Sequence, residues 1–210
     1  MKTFDIITEA DARVLQQGET VMLSRRGHIT PLAMDTLRER RISVVQEGRA
    51  APEDLSLVPP ADIRTVAIAS DHTGIVLRRE LVRWLRGRGL AVADHGTEST
   101  EPVDYPDIAA AVARAVSRGE ADAGIAIDGA GIGSAIAANK MRGIRAVMAT
   151  TETIARYSRE HNGANVLTLG SSLVTLEEAR GIVGVWLTTP MREPRYIRRL
   201  AKIRDLEQLP

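Results

Sequence analysis

A thirteen-residue stretch, DGAGIGSAIAANK at residues 128–140, combines an acid with a glycine-rich loop. An apolar run precedes Asp128, which begins a loop that holds Gly129, Gly131 and Gly133. Small residues typical of a helix follow directly. The N–H groups of a glycine loop that opens a helix point at whatever lies in front of them, which favours an anion. The stretch therefore predicts an anion site with an acid beside it.

The elements around this loop predict where it lies. Strand-like runs alternate with helical patterns; the strands are 66–69, 90–93, 124–127, 145–149 and 166–169, and the helices are 75–88, 107–118, 132–140, 152–161, 176–187 and 194–206. Such alternation predicts a three-layer, Rossmann-like α/β fold, a parallel sheet with helices on both faces. Ligands bind beyond the carboxyl ends of such strands, where Asp71-His72 and Asp128-Gly129 both fall.

The chain divides at a stretch rich in proline, charge and alanine, residues 47–62, which predicts a linker. Residues 1–46 before it predict a small N-terminal α/β extension. Thr8 with Asp11 resembles a capping box, Thr30 with Pro31 opens a second helix that runs to residue 40, and strand candidates occupy 20–23 and 42–45. Residues 63–210 then form the larger domain.

Composition excludes several classes of protein. A 210-residue chain with 44% hydrophobic and 26% charged residues is typical of a globular protein. The net charge of +1 and the scattered basic residues argue against nucleic acid as a partner. Cysteine is absent, no apolar run approaches the length of a membrane span, and the first residues lack a signal-peptide pattern, so we expect a cytoplasmic protein.

The sequence favours neither a metal site nor a dinucleotide site. The acidic residues Glu98, Glu101 and Asp104 lack metal-ligand spacing. A dinucleotide-binding loop reads G-x-G-x-x-G after the first strand, whereas this one reads G-x-G-x-G after the third.

Six motifs in one order resemble the ribose-5-phosphate isomerase B family, which includes the galactose-6-phosphate isomerase subunits. They are VAIASDHTG (66–74), DYPD (104–107), the glycine loop with AANK, GIRA (143–146), REHNGANVLTLG (159–170) and the Arg195/Arg199 pair. The resemblance covers about two-thirds of the chain. It implies aldose–ketose isomerisation of a sugar phosphate through an enediolate, without metal or cofactor.

The resemblance also implies roles for individual residues. The residue at position 128 is the base, the backbone N–H groups of 129–133 stabilise the enediolate, and His161 assists ring opening. Substrate contacts are implied for Asp71, His72, Tyr105, Gly129, Ala130, Gly131, Gly133 and Asn162, and a phosphate clamp for Arg195 and Arg199. Active sites in this family lie between two subunits, which implies a homodimer or homotetramer.

Three positions depart from the family pattern: Asp128 replaces a cysteine, Ala130 a threonine and Tyr196 a histidine. Asp128 is either a carboxylate base or only a helix cap, because aspartate is a favoured N-cap residue. Burial would raise its pKa, and N–H groups at a helix start would lower it. The loss of the threonine hydroxyl predicts altered substrate preference.

Plainer interpretations stay open for the other residues. His72 and His161 could be structural, Tyr105 could pack beside a turn, and Arg195 and Arg199 could form a solvated helix face. The chain as a whole could be a silent sugar-phosphate-binding or scaffold subunit, or an isomerase of tetrose or hexose phosphates.

The first 46 residues resemble N-terminal segments of bacterial microcompartment enzymes such as cobalamin adenosyltransferases and phosphotransacylases. ITEADARVL and HITPLAMDTLRERRI carry this resemblance. It implies a docking segment for a shell or partner enzyme, removable up to residue 60 without loss of turnover, and a location inside a microcompartment. An extra packing layer on the same chain is the alternative.

Overall fold

The protein is described by a computed structural model, which covers residues 2–46, 55–191 and 193–208. The chain forms two compact units, Met1–Glu53 and Asp54–Pro210. Within the described ranges, no helix has both the length and the apolarity needed to cross a bilayer.

The first unit is a three-stranded parallel sheet with two helices. Its elements are β1 (Thr3–Ile7), α1 (Glu9–Val14), β2 (Thr20–Ile29), α2 (Pro31–Glu39) and β3 (Ser43–Gln46), in the sheet order β1-β2-β3. Thr8 and Asp11 form the expected capping box, and the Thr30 side chain caps α2. Both helices contribute to one small core with Ile7, Val21 and Leu23, so they cover one face of the sheet.

Two features of this unit were not predicted. The strand β1 was missed, and β2 continues to Ile29 through the polar run SRRGH rather than ending at Leu23. The continuation exists because β1 pairs with it, Ile6 opposite His28 and Ile7 opposite Ile29, after an irregularity between Phe4 and Ile6. Tertiary pairing overrides local propensity at this place.

The second unit is a five-stranded parallel sheet covered on both faces. Its strands are β4 (Thr65–Ser70), β5 (Ala91–Asp94), β6 (Ala123–Asp128), β7 (Ala146–Met148) and β8 (Val166–Gly170), in the order β5-β4-β6-β8-β7. Its helices are α3 (Ile75–Gly87), α4 (Tyr105–Ser117), α5 (Ile132–Ala138), α6 (Glu152–Asn162), α7 (Leu176–Thr188) and α8 (Pro194–Leu206). The predicted three-layer, Rossmann-like fold is confirmed, and the strands and helices lie within about two residues of their predicted bounds.

The two faces of this sheet differ in side-chain size. One face presents alanines, such as Ala67 and Ala126, to the small residues of α4, and a β-carbon at Gly124 would lie 2.5 Å from Val112 Cγ1. The other face carries large residues that pack around the buried Trp186 of α7. Alternation along each strand directs the two classes to opposite faces.

The predicted linker is partly incorporated into the second unit. Residues 47–54 lie outside the described ranges, but residues 57–60 belong to the second unit, where they pack against α8 and accept hydrogen bonds from Arg145 and Arg159. The composition of this stretch did not reveal its packing partners.

Candidate active site

The strand order places the candidate loops side by side. The chain leaves β4 for β5 on one side and returns to β6 on the other, so the loops after β4 and β6 diverge. Such a switch point opens a crevice at the carboxyl edge of the sheet. Ser70 pairs with Ile127, and the Asp71 N–H donates to the Ile127 carbonyl at 3.1 Å, so Asp71 and Asp128 end adjacent strands.

The Asp128 carboxylate accepts four hydrogen bonds, two from the glycine loop and two from the first turn of α5, and is only 5% exposed. Its Oδ1 accepts from the N–H groups of Ala130, at 2.8 Å, and Gly131. Its Oδ2 accepts from the N–H of Ser134, at 3.0 Å, and from the Ser134 hydroxyl. The N–H groups of Ala130 and Gly131 were expected to face an anion. They donate hydrogen bonds to Asp128 instead.

The hydrogen bonds decide the protonation of this carboxylate. Burial raises the pKa of Asp128, but the bonds from Ser134, Gly131 and Ala130 together outweigh burial and hold the pKa below the ordinary aspartate value. Asp128 is thus ionised at neutral pH, and it is a weaker base than a free aspartate.

Close backbone approach explains two glycines near this carboxylate. Gly131 has φ +77°, and a β-carbon there would lie 2.8 Å from the backbone carbon of Leu169. A β-carbon at Gly170 would lie 2.6 Å from the Ala130 carbonyl oxygen. The loop after β6 is therefore pressed onto the end of β8.

The loop after β4 brings Asp71 and His72 to the same crevice. Asp71 is buried, and its Oδ1 accepts from the N–H and hydroxyl of Thr73, at 2.9 and 2.6 Å, and from the Gly74 N–H at 3.2 Å. His72 Nδ1 accepts from the Val103 N–H at 3.4 Å, which places the imidazole proton on Nε2 in the neutral ring. A neutral Nε2–H is a donor suited to a sugar oxygen.

Tyr105 joins this group through the glycine loop. Its ring packs against Gly133, where a β-carbon would lie 2.5 Å from the Tyr105 Cε2 atom, and the side chain is 43% exposed. A side chain at position 133 would therefore displace the Tyr105 ring. A partly exposed phenol beside the loop can donate to a ligand.

Three hydroxyl residues at this edge were not predicted. Ser134 bonds Asp128, while Ser171 Oγ lies 3.3 Å from Thr73 Oγ1 and so links the loops after β8 and β4. The sequence signal for Thr73 and Ser171 was their place shortly after strand ends, in DHTG and after LG, whereas Ser134 lies within α5 and had no such signal.

The other expected site residues form a second group around Tyr196. The His161 ring lies between Tyr157, at 4.8 Å between ring centroids, and Tyr196, at 4.6 Å. The guanidinium carbons of Arg195 and Arg199 lie 4.8 and 5.6 Å from the centre of the Tyr196 ring. We call His161, Tyr196, Arg195 and Arg199 the amino-edge cluster; Asn162, exposed, follows His161 at the end of α6.

The amino-edge cluster and Asp128 lie at opposite edges of the sheet within one chain. The end of α6 leads into Asn165, whose carbonyl accepts from the Gly124 N–H at 2.9 Å near the start of β6. Asp128 ends β6 four residues later, which corresponds to about 13 Å of extended strand. One chain therefore does not assemble all the expected residues into one site.

Across the described parts of the chain, no group of three or more histidine or acidic side chains is arranged to hold a metal ion. Glu98 of the acidic loop instead pairs with Arg78 and Arg79 of α3.

Comparisons with known proteins cover the second unit. A family model described as Ribose/Galactose Isomerase matches residues 66–203. Ribose-5-phosphate isomerase B of Escherichia coli is 45% identical over 146 residues, which cover 70% of this chain and 98% of that protein. D-erythrulose-4-phosphate isomerase of Pectobacterium atrosepticum is 37% identical over 124 residues, 59% of this chain and 82% of that protein.

A solved structure agrees with the sequence relatives. Ribose-5-phosphate isomerase B of Clostridium thermocellum superposes with a TM-score of 0.68 at 47% identity, covering 69% of this chain and 97% of that one. Fold, motif order and sequence identity thus coincide over the same residues. The chain therefore belongs to the ribose/galactose isomerase family, the aldose–ketose isomerases of sugar phosphates.

Proposed function

We propose that this chain interconverts ribose 5-phosphate and ribulose 5-phosphate, or a closely similar aldose–ketose pair, through an enediolate. The observation that supports this most is the meeting of Asp71, His72, Tyr105 and the Asp128 loop in one crevice at the switch point. Relatives named ribose-5-phosphate isomerase B, 45% and 47% identical, support the substrate class.

Asp128 is the base in this proposal. It takes the proton from C2 of the aldose and returns it to C1, while the hydroxyl proton moves from O2 to O1, so the reaction needs no oxidant or co-reactant. To act, Asp128 must exchange a donor to Oδ1, the N–H of Ala130 or Gly131, for the substrate C–H. The released N–H group then faces the developing oxyanion, which it stabilises.

The basicity of Asp128 sets the difficulty of this step. An ordinary aspartate is about 3 pKa units below an ideal base at neutral pH, which corresponds to roughly 4 kcal/mol. The hydrogen bonds from Ser134 and the loop increase that gap, and displacement of water by a bound sugar reduces it.

The amino-edge cluster serves a neighbouring subunit in this proposal. His161 assists ring opening, Asn162 contacts the sugar, and Arg195 and Arg199 bind the phosphate at the Asp128 loop of another copy, in a homodimer or homotetramer. The distance of Asp128 from this cluster within one chain supports the arrangement.

Mixed oligomers test the shared site. Asp128→Asn and an Arg195→Gln/Arg199→Gln double variant should each be inactive alone. Random 1:1 mixing after dissociation should restore about a quarter of the wild-type sites, since each site draws its base and its arginines from different chains. Absence of any recovery in verified mixed oligomers would contradict a shared site.

A specific observation favours a second candidate, a silent sugar-phosphate-binding or scaffold subunit. All four hydrogen bonds to Asp128 come from backbone and side-chain groups at the start of α5. A carboxylate that accepts such bonds stabilises the helix start and needs no catalytic role. Turnover assays on tetrose, pentose and hexose phosphates separate the candidates. Binding of these sugars without turnover of any would favour the silent subunit, and the preferred length would show what Ala130 has changed.

The first unit is a docking module in our proposal, and it places the enzyme in the cytoplasm, inside a bacterial microcompartment. The unit is compact and precedes the family match, and its helices expose Val14 and Leu32. Removal of residues 1–53 should leave turnover unchanged and abolish co-localisation with shell proteins. The cut lies at residue 53 rather than 60, because residues 57–60 pack against the second unit. Unchanged localisation would favour a packing layer instead.

A further inference from the structure

Residues 57–60 precede the family match, which starts at residue 66, yet they are firmly attached to the second unit. We call these four residues the 57–60 segment. We propose that this segment, which lies outside the family match, is a positioning element that holds the amino-edge cluster in the geometry needed to bind phosphate. The inference rests on the proposed function.

Apolar contacts join the segment to α8. Leu57 and Val58 pack against a buried cluster of four residues, Met191, Tyr196, Ile197 and Leu200. Three of these four belong to α8, the helix that carries Arg195 and Arg199. The segment therefore forms part of the surface on which this helix rests.

Two arginines of the second unit hold the backbone of the segment. Arg145 Nη2 donates to the Leu57 carbonyl at 2.9 Å, and its Nε donates to the Gly163 carbonyl at 2.8 Å. Arg159, buried over the Trp186 ring, donates from Nη2 to the Pro60 carbonyl at 2.9 Å and from Nη1 to the Ala164 carbonyl at 2.8 Å. Each guanidinium thus ties the segment to the turn directly after α6.

A glycine in the same turn shows how closely the segment approaches α8 and the end of α6. Gly163 has φ +55°, and a β-carbon there would lie 2.9 Å from Leu200 Cδ1 and 3.3 Å from Pro59 Cδ. The segment, α8 and the end of α6 therefore meet at one point, two residues after His161.

Tyr196 connects this packing to the cluster. It is 7% exposed, its ring contacts His161, and its hydroxyl lies 3.0 Å from Arg195 Nη2, a donor to it. Because both Arg195 and Arg199 lie against this ring, a shift of Tyr196 changes the direction of both guanidiniums. Displacements near 1 Å are enough to impair a binding site, so the support under Tyr196 has a functional consequence.

A double truncation in the full-length chain tests the segment. Leu57→Ala/Val58→Ala removes its apolar side chains, and Leu57→Met/Val58→Ile restores them. Leu90→Ala/Val92→Ala is the matched control, because it removes the same two residue types from partly buried positions on the main core. The dissociation constant of inorganic phosphate is measured by calorimetry, with the melting temperature recorded for each protein.

We expect the Leu57→Ala/Val58→Ala variant to bind phosphate about tenfold more weakly, with recovery in the conservative variant and no change in the control. A lower melting temperature with an unchanged dissociation constant would overturn the inference, because the segment would then be only structural. Calorimetry needs no turnover, so an inactive wild type would refute the proposed function without deciding this result.

Discussion

Replacing Asp128 by cysteine should add a rise of rate with pH that comes from residue 128 itself and that the wild type lacks. The pKa of Asp128 is below the ordinary aspartate value, so its carboxylate is fully ionised from about pH 5 upward and contributes no rising limb there. A thiol of pKa about 8.5 is only a few per cent ionised at pH 7. The variant therefore gains activity as pH rises.

The magnitude follows from the thiolate fraction. Between pH 6 and 8 that fraction rises roughly 75-fold, and N–H groups that lower the thiol pKa would move the limb to lower pH. The variant also loses the acceptor of four hydrogen bonds at a 5% exposed position. We expect it to lose about 2–4 kcal/mol of unfolding free energy.

The assay is kcat/KM for ribose 5-phosphate from pH 5 to 9, expressed as the ratio of the variant to the wild type. The ratio removes the titration of groups that both measurements share, such as the substrate phosphate. A ratio that stays constant across this range, in two folded and active proteins, would refute the assignment of residue 128 as the base.

Three further changes test the site's structure. Asp128→Asn should cost about 2 kcal/mol of unfolding free energy at pH 7. The pKa of Asp128 is lower in the folded state, so the ionised carboxylate stabilises the wild type above the unfolded-state pKa of about 3.9, and this stabilisation is lost as pH falls through the folded-state pKa. Urea titrations should therefore show that the difference in unfolding free energy between the wild type and Asp128→Asn shrinks below about pH 4. Gly133→Ala should displace Tyr105 and raise KM about tenfold, whereas Gly87→Ala, in open space on α3, should leave KM unchanged in the same steady-state assay. Gly131→Ala should lower the unfolding free energy by about 1–3 kcal/mol more than Gly143→Ala does. Both glycines have φ +77°, but only a β-carbon at position 131 would also meet backbone atoms, those of Leu169 and Gly170. Equal losses of unfolding free energy in urea would contradict this contact.

The second unit could be predicted well from sequence because each local pattern agreed with the fold. Apolar runs such as GIAI before Asp128 are buried strands, and helix starts at Thr151 and Thr175 are side-chain caps. The meeting of Asp71 and Asp128 at one edge of the sheet could be predicted because both residues lie at the ends of strands that a parallel sheet aligns.

Other features depended on contacts between distant residues. The strand β1 and the end of β2 exist because they pair with each other, and the 57–60 segment is held by guanidiniums from about 88 and 99 positions further along the chain. The balance of effects at Asp128 could not be resolved without knowing that Ser134 adds two donors. The sequence carried both opposing influences on that pKa but not their sizes.

Solvent-deuterium incorporation tests the central claim most directly. The wild type and Asp128→Asn are incubated with ribose 5-phosphate in deuterated water, and deuterium at the substrate and product carbons is followed by NMR. We predict that wild-type exchange accompanies isomerisation and that Asp128→Asn is at least about 100-fold slower. Equal exchange by both proteins, or sugar-phosphate binding by the wild type without any exchange, would contradict Asp128 as the base of an aldose–ketose isomerase.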